Sequence, residues 1–226
     1  MQATAPKISN RLTEIYPDLP NLLPELRLIG TLMKFPKRQK VFSQGEPSDA
    51  IYFIQSGKVK ISSVSLDGKE AVLAVLGFPA FFGEACLAGQ ARWLSSAVAM
   101  EPLTVLRIER PVMLENLRDR SQVCRMMAAS LLIRILRLEE DVRAHFFYDH
   151  TQRLVRVLLR LAQLHQHNGS PDVEMPRWPH ETLAKMVNAS RSHITRIMNK
   201  LRKSGTIEYD RTLIVKTKRL APMLRD

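Results

Sequence analysis

The chain has 226 residues, of which 45% are apolar or aromatic and 25% are charged. That is enough for one large or two small folded domains, and it argues against a disordered chain. Thirty-four Lys and Arg against 22 Asp and Glu leave a net charge of +12, which favours a polyanionic partner: nucleic acid first, an anionic membrane surface second. Two cysteines, Cys86 and Cys124, exclude a disulfide-rich scaffold or a four-thiolate metal site. The longest mostly apolar stretch, Ala71 to Gly83, is interrupted by Gly77 and Pro79 and falls short of the ~18 residues of a membrane helix. The first residues contain no apolar signal-peptide core, so a cytoplasmic protein is expected.

Residues 1–20 contain three prolines and read as a loose lead-in. A short helix is expected over Leu23–Thr31. From Gln39 to Arg110 short apolar runs alternate with turn signals such as Gly45-Glu46-Pro47, Gln55-Ser56-Gly57 and Asp67-Gly68. Lys58 to Ser62 alternates polar and apolar, the period of a half-exposed strand. Many short strands at this spacing predict an antiparallel sandwich or barrel.

After Pro111 the period becomes helical. From Ser121 to Phe147 there is no glycine or proline. Cys124, Ala128, Leu131, Ile135, Leu138 and Val142 fall at alternating spacings of four and three, the seam of a coiled-coil dimer. Arg134, Arg137, Glu139, Glu140, Asp141 and Arg143 suit the solvated flanks. A helix of this length runs about 40 Å and would overhang a small barrel, so we read it as a dimer helix rather than one packed only on its own domain.

A helix is expected from Thr151 to Gln166, then a loop from His167 to Asp172, a helix from His180 to Val187 and a tight corner at Asn188-Ala189. Ser190 can cap the next helix, Arg191–Ser204, which Gly205 ends. The tail from Thr206 reads as a hairpin turning near Asp210-Arg211. Two helices about a tight corner followed by a hairpin make a winged helix-turn-helix. Residues 151–226 hold 15 basic and 6 acidic side chains, a net of +9, against +3 for residues 1–150. Three quarters of the excess charge therefore decorates this domain. Ile194, Ile197 and Leu201 share its inward face; Arg191, Ser192, Thr195, Arg196, Asn199 and Lys200 project elsewhere. An arginine near the start of a groove-inserted helix can make a bidentate contact to guanine O6 and N7.

Four pieces together resemble the Crp–Fnr superfamily of bacterial transcription regulators, across nearly the whole chain. They are Gln44-Gly-Glu-Pro-Ser-Asp-Ala-Ile-Tyr-Phe-Ile-Gln-Ser-Gly-Lys-Val59, Phe82-Gly83-Glu84 with Ala85-Cys86-Leu87, the long helix, and Ser190-Arg-Ser-His-Ile-Thr-Arg196. The resemblance implies an α+β fold: an N-terminal antiparallel β-roll like a cyclic-nucleotide-binding domain (21–120), a dimerisation helix (121–147) and a C-terminal winged helix-turn-helix (148–226). It implies a homodimer on a two-fold operator in double-stranded DNA, contacting RNA polymerase.

The same resemblance places an effector pocket at Phe82, Gly83, Glu84, Ala85 and Cys86, with Arg92, Trp93, Ser95 and Ser96 closing the cassette and Leu138-Glu139 at the position that reads the base. The family's phosphate-binding arginine would fall at Ser95, or at Trp93 or Leu94 counted from Glu84, and none of these is a cation. Arg92 is the nearest. Leu138-Glu139 lacks the family's hydroxyls. Both departures argue against cyclic AMP, so no cofactor is required, and a cyclic nucleotide is the disfavoured case. Cys86 and Cys124 read as small apolar fillers, and the six histidines form no ligand set. In the recognition segment Ser192 stands where the cyclic-AMP branch has glutamate, removing an acceptor for cytosine N4.

Against the DNA-binding regulator stands a ligand-binding module whose basic tail meets a protein or membrane. An enzyme is not expected: the chain has no GxGxxG, Walker loop, HExxH or nucleophile elbow.

Overall fold

The computed structural model of the chain describes residues 19–119, 121–166 and 170–224. Residues 1–18 of the expected lead-in and 167–169 of the expected loop lie outside them. The described residues divide into two compact units, one within residues 1–59 and 77–136, the other within residues 60–76 and 137–226.

The first half runs α1 (Leu19–Ile29), β1 (Thr31–Phe35), β2 (Lys40–Phe42), β3 (Ala50–Ser56), β4 (Lys58–Val64), β5 (Glu70–Gly77), β6 (Phe81–Phe82), a 3-10 turn (Glu84–Ala88), β7 (Ser96–Ala99) and β8 (Leu103–Glu109). Then follow α2 (Arg110–Asp119), α3 (Ser121–Phe147), α4 (His150–Gln163), β9 (Asp172–Pro176), α5 (His180–Val187), α6 (Arg191–Lys203), β10 (Ile207–Tyr209), β11 (Thr212–Lys216), α7 (Thr217–Leu220) and a 3-10 turn (Ala221–Leu224). The fold is α+β: antiparallel sheets, one long helix and a C-terminal winged helix-turn-helix.

In the first unit β1, β8, β3 and β6 form one antiparallel sheet in that order, and β2 pairs with β7. The helix expected over Leu23–Thr31 lies earlier, and Thr31 opens a strand instead. Gly30 makes the exchange possible. A Cβ there would come within 3.0 Å of Ile108 Cγ1 and 3.2 Å of Leu106 Cβ, so glycine lets the chain leave α1 and lie close against β8 without displacing its side chains. Gly57, at φ +84°, is constrained more tightly: a Cβ would sit 2.3 Å from the Pro102 carbonyl. Ala50 to Ile54 are all buried, which suits a strand with both faces covered. Leu26, Ile51, Phe53, Leu106, Met113 and Met126 are among the residues of the core, each contributing about 1.5–3 kcal/mol when fully buried.

In the second unit β4 and β5 are consecutive strands of one sheet, and α4 starts on a capping box. Asp149 accepts from the Gln152 amide at 2.8 Å while Gln152 accepts from the Asp149 amide at 3.1 Å, satisfying two donors that a helix start leaves open. Leu154, Val155, Leu158 and Leu161 form its buried stripe. The winged sheet has three strands, β10-β11-β9, where the sequence suggested two. β9 holds only Val173 and Met175 as buried residues, too weak a signal alone; it is a strand because β11 pairs with it from Lys216↔Asp172 to Thr212↔Pro176. Helix α4 ends at Gln163, three residues short of the expected Gln166. In α6 the last helical residue is Lys203, with Ser204 as C-cap.

Candidate nucleic-acid interface and effector pocket

The corner between α5 and α6 turns on Asn188, in the left-handed region at φ 52°. Ser190 then accepts from the His193 amide at 3.2 Å. Ile194, Ile197, Met198 and Leu201 are buried, which turns the opposite face of α6 outward. On it Ser190, Arg191, Ser192, Arg196 and Lys200 are exposed, and Thr195 and Asn199 are half-buried. None of Arg191, Arg196 and Lys200 is in a direct ion pair among the described residues, although the charge of Arg191 helps to hold the Glu181 carboxyl below its ordinary range. The Arg196 guanidinium lies 3.4 Å from His193 Nδ1, and the His150 ring meets His193 edge-on at 5.0 Å. The two half-buried side chains are engaged: the Thr195 hydroxyl donates to the Arg191 carbonyl at 3.0 Å, and Asn199 Oδ1 accepts from the Tyr209 hydroxyl at 3.2 Å. Tyr209 escapes sequence reading because its partner is reached only when the wing folds back on α6.

The expected pocket residues Phe82, Gly83, Glu84, Ala85, Cys86 and Trp93 come together in the first unit. Gly83, at φ +83°, opens the 3-10 turn. Phe42, Tyr52, Phe82 and Trp93 form an aromatic group, with Phe42 stacked on Trp93 at 4.0 Å and Tyr52 on Phe82 at 5.1 Å. The Cys86 thiol donates to the Ala50 carbonyl at 3.4 Å, and burial pushes it up to about 11, the behaviour of an inert filler. Arg92 is spent elsewhere, donating to the Gly45 carbonyl at 2.7 Å. Ser96 accepts from the Gln44 amide at 2.9 Å. The cation at Glu84 is Arg134 of α3, in a direct ion pair. The sequence placed Arg134 on a solvated flank; the correction follows from its partner being fifty residues away. Glu140 and Asp141 are likewise not simply solvated. Arg156 pairs with Glu140, and Arg160 grips both Asp141 oxygens at 2.8 and 2.6 Å. Leu138 and Glu139 belong to the second unit, where both are exposed.

Cys124 and Ala128 of the heptad seam are exposed, as are Leu131 (37%), Ile135 (50%), Leu138 (52%) and Val142 (56%). Val123, Met126, Met127 and Ile133 on the same helix are buried. The seam is thus an unpartnered apolar stripe. Among the described residues no three His, Cys, Asp or Glu side chains gather as a metal site.

An antiparallel sensor-type sheet module, a long helix and a basic winged helix-turn-helix define a DNA-binding transcriptional regulator. Residues 32–120 match the cyclic nucleotide-binding domain family and residues 152–223 the Crp-like helix-turn-helix domain. The chain is 29% identical over 197 residues to the CRP-like cAMP-activated global transcriptional regulator of Mycobacterium tuberculosis, covering 84% of this chain and 87% of that one. It is 30% identical over 173 residues to the cyclic AMP receptor protein of Thermus thermophilus, covering 76% and 77%. Its fold is similar to that of the c-di-GMP-responsive global regulator CLP of Xanthomonas campestris, with a TM-score of 0.73 at 22% identity over 87% and 98% of the two chains. The chain belongs to the Crp–Fnr superfamily of transcriptional regulators, and that membership makes it a regulator rather than an enzyme.

Proposed function

We propose that the protein binds a two-fold operator in double-stranded DNA as a cytoplasmic homodimer and acts on RNA polymerase. The observation that carries this reading is the outward face of α6, whose cations Arg191, Arg196 and Lys200 are in no direct ion pair among the described residues. Residues 148–226 do the DNA binding, 121–147 the dimerisation through the exposed seam, and 21–120 the sensing. Arg191 and Arg196 read guanines; Ser190, as cap, holds the start of the helix. A basic tail for a membrane fits less well, because the apolar residues of this region are buried in its core. Titrating salt against binding to random duplex DNA tests the reading. A steep negative log–log slope is expected; no binding even at low salt would overturn it.

The proposed effector is not cyclic AMP, although relatives carry that nucleotide in their names. Glu84 is already paired to Arg134, Ser95 brings no cation, and Arg92 is held by Gly45. A cyclic phosphate would forgo charge-assisted bonds of roughly 1.5–3 kcal/mol each. Calorimetric titration with cyclic AMP and cyclic GMP is expected to show no binding; a micromolar dissociation constant would refute this.

A further inference from the structure

Tyr209, at the end of β10, collects cations. The Arg177 guanidinium, from the segment before α5, lies 5.2 Å from the ring centroid, and that of Arg202, from the last turn of α6, lies 5.3 Å from it. Both arginines are exposed, and neither has a carboxylate partner among the described residues. From Arg177 to Lys203 there are seven Lys and Arg and one acid, Glu181, and Glu181 is taken by Lys185 at 2.9 Å. The π-face offsets part of the repulsion between two guanidiniums. An anion would remove the rest.

The polar neighbours of the ring point the same way. The Tyr209 hydroxyl donates to Asn199 Oδ1, which engages the acceptor of that amide and leaves its NH2 group as a donor. His180 meets the Tyr209 ring edge-on at 6.3 Å and lies 2.8 Å from the Thr195 hydroxyl. That hydroxyl has already given its proton to the Arg191 carbonyl, so His180 Nδ1 is the donor. Burial first, then the charges of Arg177 and Arg191, hold His180 below the usual histidine range. Around the ring the cationic groups without a carboxylate, the Arg177 and Arg202 guanidiniums, are donors alone. A base edge offers donors and acceptors together in most frames; a phosphodiester offers acceptors alone.

We propose that Arg177, Arg202 and the Asn199 amide, gathered around Tyr209, form a phosphate-binding subsite that grips the backbone of duplex DNA beside the base-reading face of α6. This rests on the DNA-binding reading and deepens it. Phosphate contacts set register without carrying sequence, so the cluster fixes how α6 lies while Arg191 and Arg196 read bases.

The test uses the full chain and two duplexes: one of random sequence, one selected by the wild type from a randomised library. Arg177→Gln and Arg202→Gln are expected to weaken both duplexes by the same factor. Each should reduce the magnitude of the salt slope by about 0.9, the share of one phosphate contact. Arg177→Lys and Arg202→Lys keep the charge and should restore the slope; matched circular dichroism shows that the variants fold. Tyr209→Phe should cause a smaller loss, again equal on both duplexes. Unchanged slopes in the glutamine variants would overturn the subsite, and so would a loss confined to the selected duplex, which would make these residues base readers. If the wild type binds no duplex at low salt, it is the DNA-binding reading that fails.

Discussion

Lys185 of α5 places its Nζ 2.9 Å from Glu70 Oε2 of β5, joining residues 115 positions apart. Glu70 also accepts from Lys60 at 2.7 Å, and Lys185 also pairs with Glu181 at 2.9 Å. The β4–β5 segment is thereby tied to the first helix of the helix-turn-helix within one compact unit.

This tie makes stability depend on acid. Lys60 first, and then Lys185 and Ser62, hold the Glu70 carboxyl down to about 2 against the opposing effect of burial. The folded value lies below the unfolded one of 4.5. The stabilisation is therefore fully present above about pH 4.5 and is lost as pH falls from there towards 2. Glu70→Gln should lower stability by about 1–2 kcal/mol at neutral pH, after allowance for screening at a partly exposed site, and should narrow its gap to wild type as pH approaches 2. Urea unfolding at a series of pH values measures this; a gap constant with pH would show that the carboxylate charge is not what matters.

Gly83→Ala is expected to destabilise by about 1–3 kcal/mol, because left-handed backbone and overpacking both resist it. Residue 83 has φ +83°, and a Cβ would come within 3.1 Å of the Trp93 ring and 3.3 Å of the Ala50 carbonyl. Thermal unfolding followed by Trp fluorescence would report the loss.

Ile135→Asp should convert the proposed homodimer to monomer. Ile135 is 50% exposed at the middle of the seam, so the folded single chain tolerates a charge there, whereas a dimer would bury it unpaired. Sedimentation equilibrium distinguishes the two; a wild type that sediments as a monomer would remove the seam as an interface.

Arg196→Ala should cost about 1–3 kcal/mol on the preferred operator and relax specificity at one base pair. Equal weakening on every sequence would make Arg196 a phosphate contact. Measured affinities on a panel of single-base operator variants separate these outcomes.

Ser190→Ala removes the acceptor of the His193 amide and should destabilise the domain by about 1 kcal/mol. Chemical denaturation monitored by circular dichroism is the check.

The amino-acid sequence by itself determined where the charge sits, the bounds of α3 and α5, the corner at Asn188 and the cap at Ser190. These are local matters: a helix bonds residues four apart, and its ends are marked by caps within a turn. It also determined the absence of an arginine at Ser95. Only the tertiary structure decided that Thr31 begins a strand and that Asp172–Pro176 is one. Strand identity depends on an edge supplied from far along the chain, here β8 and β11. The same distance hid the partners of charged and polar groups. Arg134 reaches Glu84, Lys185 reaches Glu70, and Tyr209 takes the Asn199 acceptor, because folding brings together side chains that sequence spacing keeps apart. Net charge thus pointed to a polyanion, while tertiary contacts decided which of its cations were left free to meet one.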